Sequence, residues 1–325
     1  MVISVSHFSK YYSSHKKEPG FAGTLRSIFS REYETVKAVD DISFTIQEGE
    51  LVGFIGPNGA GKTTTLKCLS GLLYPTNGKI SVLGFTPYQR KNQFLTQLSL
   101  VMGQKNQLWW DLPVIDSIRL NKQIYDVSDS DYRNTLAQLT SLLELKDLLS
   151  VQAKKLSLGQ RMKCELLAAL IHRPKVLFLD EPTIGLDVIM QKKLREFIKE
   201  YNKQYKATIM LTSHYMKDVE ALCKRIIVIN NGKLLYDGIL SELVKKHAPY
   251  KLMKVIFKER VDPKKVENLG VIMRFENPEL ILRIPHSKMG KITTKVLEQF
   301  PVEDLTIEDP DIEFVIREIF SQKTK

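Results

Sequence analysis

Apolar and polar positions along this chain follow two rhythms. Short alternating or wholly apolar runs predict strands over residues 1–12 (Val2, Ile3, Val5, Phe8), 36–46 (Ile42, Phe44, Ile46), 51–55, 80–83, 98–103, 176–179, 207–212 and 225–229. Helical spacing takes over at residues 64–69, across 113–149, where Leu136, Leu139, Leu142, Leu143 and Leu145 share a face, and at 161–171. Strands interleaved with helices define an α/β fold. Past residue 240 the pattern changes: strands over 252–257 and 280–284 and helices over 289–300 and 312–320 predict a small α+β domain. The expected division is a first domain, 1–240, with a β-rich N-terminal part and a helical insert at about 104–172, and an accessory domain, 241–325.

Breaks in the pattern place the loops. Residues 13–37 interrupt the first sheet, with Lys16-Lys17 and Pro19-Gly20 as loop signals. Within them Leu25, Ile28 and Phe29 form an apolar helical face flanked by Arg26 and Arg31, suited to a membrane or partner helix and equally to packing on its own domain. Residues 74–79 read as a turn centred on Asn77-Gly78, and Asn231-Gly232 as a hairpin turn. A polar break at 126–131 divides the helical insert. Both tryptophans, Trp109 and Trp110, fall in a polar loop, which marks a docking surface, with a cap over the domain's own core as the alternative.

Composition narrows the class only a little. Hydrophobic residues at 43% and charged ones at 26% are ordinary for a globular chain able to bury a core. The formal net charge of +11 favours an anionic partner, but the basic residues are dispersed among acidic ones. Cys68, Cys164 and Cys223 stand far apart, without metal-ligand spacing, as in a reducing compartment, and Cys68 and Cys164 fall in helical patterns that predict buried thiols. No run approaches eighteen consecutive apolar residues, so crossing a membrane would fall to another chain.

Residues 56–63 read GPNGAGKT, the P-loop spacing, between an apolar strand and a helix. Gly56, Gly59 and Gly61 let the backbone approach phosphate oxygens; with Pro57, Asn58, Ala60 and Thr64 they complete the expected nucleotide cradle. The helix that follows aims unpaired N–H groups at the same phosphates, Lys62 adds a full charge, and the Thr63 hydroxyl is placed for Mg²⁺. Asp180 and Glu181 end the buried strand 176–179, at the end where open α/β sheets bind ligands. Asp180 suits the Mg²⁺ shell, and Glu181 suits the polarisation of an attacking water. His214 closes the strand 207–212, placed to donate to a γ phosphate. Ser157 with Gln160 forms a capping box, and Tyr12, after the first strand, offers a ring to stack on adenine.

In this order the motifs resemble those of the ATP-binding subunits of ABC transporters, over roughly residues 1–240. GPNGAGKT is similar to Walker A, Leu156-Ser157-Leu158-Gly159-Gln160 to the signature sequence, and Val176-Leu177-Phe178-Leu179-Asp180-Glu181 to Walker B. Gln104 matches the Q-loop, Ile184-Gly185-Leu186-Asp187 the D-loop and His214 the switch histidine. Leu158 departs from the pattern by standing where the commoner signature has glycine. The short interval from Lys62 to Ser157 leaves no room for the coiled-coil arm of the chromosome-maintenance ATPases. DEPTIGLD, Ser213-His214-Tyr215-Met216 and residues 103–117 look most like ABC-2 exporters, and the 13–37 insert is similar to the gate helix of polysaccharide-exporting relatives.

The resemblance implies a P-loop ATPase core, with ATP and Mg²⁺ as ligands and Gln104 joining Thr63 and Asp180 around the metal. It also implies a head-to-tail homodimer or heterodimer in which Ser157, Leu158, Gly159 and Gln160 face the γ phosphate held by the other subunit. Glu181 would be the base, assisted by His214 and Gln104. The ATPase would power a separate transmembrane permease from the cytoplasmic face of the inner membrane, exporting a drug, lipid, polysaccharide or ion. The alternative is a soluble ABC ATPase acting on nucleic acid or the ribosome. One set of motifs, and no aromatic and basic RNA-binding module, speak against it, so no nucleic acid is expected as partner. A degenerate scaffold is disfavoured because every catalytic position is occupied.

Overall fold

The computed structural model describes residues 1–15, 33–103 and 105–322. Two compact units make up the chain, Met1–Gly238 and Ile239–Lys325.

The first unit is built on a six-stranded sheet. Its strands are β3 (Leu51–Ile55), β5 (Leu98–Met102), β6 (Val176–Asp180), β7 (Thr208–Thr212), β8 (Arg225–Asn230) and β9 (Lys233–Ile239), in the order β5-β6-β7-β3-β8-β9. From β5 to β8 neighbours run parallel. β6 and β7 are buried at every residue, which is why they read as continuous apolar runs without alternation. Asn231 and Gly232 both adopt positive φ between β8 and β9, as a tight hairpin turn requires.

A second sheet, β2-β1-β4, is antiparallel, from β1 (Ile3–His15), β2 (Tyr33–Ile46) and β4 (Asn77–Val82). Ile3, Val5, Phe8, Ile42, Phe44 and Ile46 all point into its core, and the Phe44 ring meets Phe54 of β3 at 5.8 Å, joining the two sheets. Two expectations need correcting here. The sheet is not interrupted over the whole of 13–37: Ser13 pairs with Thr35 and His15 with Tyr33, because alternating polar residues suit a two-stranded ribbon as well as a loop. The apolar face at Leu25, Ile28 and Phe29 lies outside the described residues. Asn77-Gly78 is not a turn but the start of β4. Gly78, at φ 88°, passes so near β1 that a Cβ there would stand 2.2 Å from the His7 carbonyl oxygen.

The helices of this unit are α1 (Lys62–Leu69), α2 (Val114–Ile124), α3 (Asp129–Leu143), α4 (Leu158–Leu170), α5 (Val188–Tyr205) and α6 (Met216–Leu222). Ser128 caps α3 by accepting from the Asp131 N–H, which gives the polar break its structural purpose. Leu139, Leu143 and Leu145 are buried, while Leu142 stays 38% exposed on the outer side. Cys68, Cys164 and Cys223 are buried and free, and burial lifts the Cys68 thiol to about 11 and the Cys164 thiol to about 12.

The second unit folds as α7 (Leu240–His247) and a four-stranded antiparallel sheet ordered β11-β12-β10-β13, with α8 (Met289–Gln299) and α9 (Ile312–Gln322). Its strands are β10 (Tyr250–Phe257), β11 (Val271–Glu276), β12 (Glu279–Pro285) and β13 (Val302–Glu308). The pattern of apolar positions predicts β10, β12 and both later helices but misses α7, β11 and β13. The two missed strands are sheet edges, and neither contains a buried residue to create a period.

Just after α4, the His172 imidazole stacks on Tyr125 with centroids 3.7 Å apart, its Nε2 3.2 Å from the Leu98 carbonyl oxygen. Burial disfavours its charged form and holds it at about 4, against an ordinary 6.5. Between those pH values the unfolded chain binds the extra proton, so stability falls as pH drops through that window. His172→Phe keeps the stacking and should remove this acid sensitivity, about 1.4 kcal/mol per pH unit at most. Denaturant midpoints at pH 7 and pH 5 for wild type and variant test this.

Candidate functional site

β3, β6 and β7 run parallel, so their C-terminal ends open on the same edge of the sheet, where the loop to α1 also lies. Gly61 ends that loop at φ 103°, and a Cβ there would stand 2.3 Å from the Ala38 carbonyl oxygen, so only glycine fits. Pro57 is half-buried, Asn58 and Gly59 form the exposed rim, and Gly56 and Ala60 are buried. The Ala60 carbonyl accepts from the Gly232 N–H at the β8–β9 turn. No side chain among the described residues caps α1, which leaves the N–H groups of Lys62, Thr63 and Thr64 available to an anion.

Lys62 is buried, and its Nζ donates to the carbonyls of Gly56 (2.7 Å) and Pro57 (3.1 Å). Burial pulls this ammonium below its ordinary range, while the negative charges of Glu181 and Asp180 push it back up. Asp180 is buried too, and both of its oxygens are taken: Thr63 Oγ1 donates to Oδ2 at 2.8 Å and Thr212 Oγ1 donates to Oδ1 at 2.7 Å.

Glu181 follows with a left-handed backbone, φ 55°, which a glutamate adopts only under constraint. Its N–H donates to both the carbonyl and the hydroxyl of Thr212, each at 3.1 Å. That turn brings the carboxylate round, and Oε1 stands 2.6 Å from Nε2 of His214. Beneath His214 lies a group the sequence reading missed. Asp218, fully buried, accepts from Ser213 (2.8 Å), from Thr183 (2.5 Å) and from Arg195 Nη1 (2.7 Å). Its carboxylate thereby fixes the residues that flank both Glu181 and His214. No signal in the sequence marks it: Lys217 and Glu220 flank Asp218 in α6, so it reads as ordinary surface charge.

The structure therefore brings together Lys62, Thr63, Asp180, Glu181 and His214. Gln104 lies outside the described residues. Immediately before it, the Gly103 N–H donates to the Asp180 carbonyl at 2.9 Å, and a Cβ on Gly103 would stand 2.2 Å from the Glu181 carbonyl oxygen, so the chain crosses directly over the acidic pair. Residues 157–160 sit apart from this cluster. Ser157 caps α4 in a reciprocal capping box with Gln160, Leu158 opens the helix 37% exposed and packs over Gly185, and Gly159 faces Met190. Their neighbour is thus Asp187, which caps α5 by accepting from the Met190 N–H. Tyr12 is exposed on β1 opposite Val36, with Lys10 Nζ 5.1 Å from its ring centroid. Trp109 and Trp110 are 58% and 46% exposed, which favours a docking surface over a core cap. The hard oxygens of Thr63 and Asp180 are a donor set of the kind a divalent cation takes, and they fit Mg²⁺.

Fold and cluster together define a P-loop nucleoside triphosphatase carrying a helical insert. The ABC transporter family profile matches residues 39–184, and that of the EvrA-like ABC transporter C-terminal domain matches residues 249–308. The ABC transporter ATP-binding protein NatA of Bacillus subtilis is 34% identical over 66% of this chain and 87% of its own. The bacitracin transport ATP-binding protein BcrA of Bacillus licheniformis is 30% identical over 68% of this chain and 71% of its own. Among solved structures, a dimeric ATP-binding cassette in a post-hydrolysis state, bound to ADP and phosphate, superposes with a TM-score of 0.60 at 21% identity, covering 73% of this chain and 98% of that one. The chain belongs to the ABC transporter ATP-binding proteins. It is an ATPase that powers a separate permease, and the alternative of a soluble ATPase acting on nucleic acid or the ribosome is not favoured.

Thr212 holds both acids, one through its hydroxyl and one through its carbonyl and hydroxyl together. Thr212→Val should lower stability by about 2 kcal/mol through the unpaired Asp180 oxygen, and Thr212→Ser should recover most of it. Urea unfolding of the two variants checks this.

Proposed function

We propose that the chain drives an ABC-2 type exporter from the cytoplasmic face of the inner membrane, docked peripherally on its permease. Among the described residues no helix is long and apolar enough to cross a membrane. The observation that carries the catalytic part of this reading is the Glu181 carboxylate at 2.6 Å from His214, beside the Thr63–Asp180 pair.

In this reading ATP lies with its phosphates in the loop 56–61 and over the N-terminus of α1, with Lys62 directed at the β and γ phosphates and Tyr12 against the adenine. Thr63, Asp180 and Gln104 hold Mg²⁺, which when bound neutralises charge on the phosphate oxygens. Glu181 accepts a proton from the attacking water, and His214 exchanges its contact with that carboxylate for donation to the γ phosphate. Two such subunits, identical or related, meet head to tail. Ser157, Leu158, Gly159 and Gln160 of one complete the phosphate contacts of the other, and Asp187 lines the joint. The exposed apolar residues Val188 and Ile189 at the start of α5 beside Asp187 support a surface that a second cassette covers. Trp109 and Trp110 face the permease. The unit 241–325 is accessory and regulatory. The cargo is a drug, lipid, polysaccharide or ion, and BcrA is named for the transport of bacitracin.

Glu181→Gln removes the proton acceptor while keeping shape and the His214 contact. Turnover should drop on the order of 10²–10⁴-fold. An ATP-bound dimer should accumulate on size-exclusion chromatography with ATP and Mg²⁺. Wild-type turnover by this variant would overturn the assignment of Glu181.

A further inference from the structure

Residues 107–112 carry both tryptophans of the chain, and α4 grips this segment from the side. Glu165 is 3% exposed on α4, between Cys164 and Leu166, both buried. Its carboxylate receives the Gln107 N–H at both oxygens (2.8 and 3.0 Å) and the Leu108 N–H at Oε1 (3.3 Å). One turn earlier on the same face, the Arg161 guanidinium lies over the Trp110 ring, 5.4 Å from its centroid. The run leading into α4 holds the far end of the segment. Lys154 donates from its N–H to the Trp110 carbonyl and from Nζ to Asp111, and the Ala153 N–H donates to the Leu112 carbonyl.

A carboxylate in this apolar setting is pushed above its ordinary range by burial, and the backbone N–H groups it receives, with the Arg161 charge, work against that. An apolar side chain of similar volume would pack there without that penalty. What the carboxylate adds is a directional hold on two consecutive amides of a surface segment whose aromatic rings are exposed.

We infer that Glu165 and Arg161 are positioning residues that fasten the Trp109-Trp110 surface to the signature helix, so that this surface and residues 157–160 move as one body. A partner seated on the tryptophans would then sense, and in turn set, the place of the ATP contact made by Ser157 and Gly159. The inference rests on the proposed head-to-tail dimer for its functional meaning.

The tryptophans are native reporters of this segment, since the chain has no others. In the full-length Glu181→Gln protein, addition of ATP and Mg²⁺ should produce a dimer by size-exclusion chromatography and, together with it, a change in tryptophan emission. Adding Glu165→Gln, whose amide group cannot accept at both positions, or Arg161→Ala on the partly exposed turn, should leave dimer formation in place and abolish the emission change. Amide exchange at Gln107 and Leu108 should accelerate in the Glu165 variant, with the exchange of β6 and β7 unaltered. An emission change that persists in both double variants overturns the inference alone. A Glu181→Gln protein that never dimerises with ATP overturns the dimer reading, and this inference with it.

Discussion

Burial of the Asp180 carboxylate is the constraint from which the rest of the site follows. An ionised group inside a sheet is tolerated only where every oxygen finds a partner. Here the partners are Thr63 at the head of α1 and Thr212 at the tip of β7. Satisfying one side chain therefore locks the head of α1, the end of β6 and the strand that leads to His214 into a single geometry. The charge balance is local as well: burial pulls the Lys62 ammonium down, and the charges of Glu181 and Asp180 offset part of that pull.

A second carboxylate repeats the device one layer deeper. Asp218 gathers Ser213, Thr183 and Arg195, which belong to the β7–α6 turn, to the loop after β6 and to α5. Neither acid could be removed alone without stranding donors in an interior that excludes water. The two polar hubs explain how a loop-borne histidine and a strand-end glutamate keep a 2.6 Å contact.

Legibility in the sequence tracked how far each feature lies from its partners along the chain. The phosphate loop, the acidic pair and the capping box of α4 are contiguous, so fixed spacing reveals them. Asp218 and Glu165 look like any helical carboxylate until the fold sets Arg195 or the Gln107 amide against them. Asn77-Gly78 carried a turn signal, yet its glycine answers a close crossing of β1, which is a long-range need that leaves the same local mark. The edge strands β11 and β13 expose most of both faces and so show no period. Leu158 was the one departure from its motif, and in the structure it simply opens α4 and leans on Gly185, where the helical backbone asks for no glycine.

The left-handed backbone of Glu181 has a consequence for the history of such a chain. A glutamate at φ 55° stands where asparagine or glycine would rest more easily, so this residue opposes the stability of the fold it completes. Selection for stability alone would favour asparagine or glycine at this position. A glutamate kept in that backbone is what a need for its carboxylate, of the kind the proposed role of Glu181 supplies, would retain.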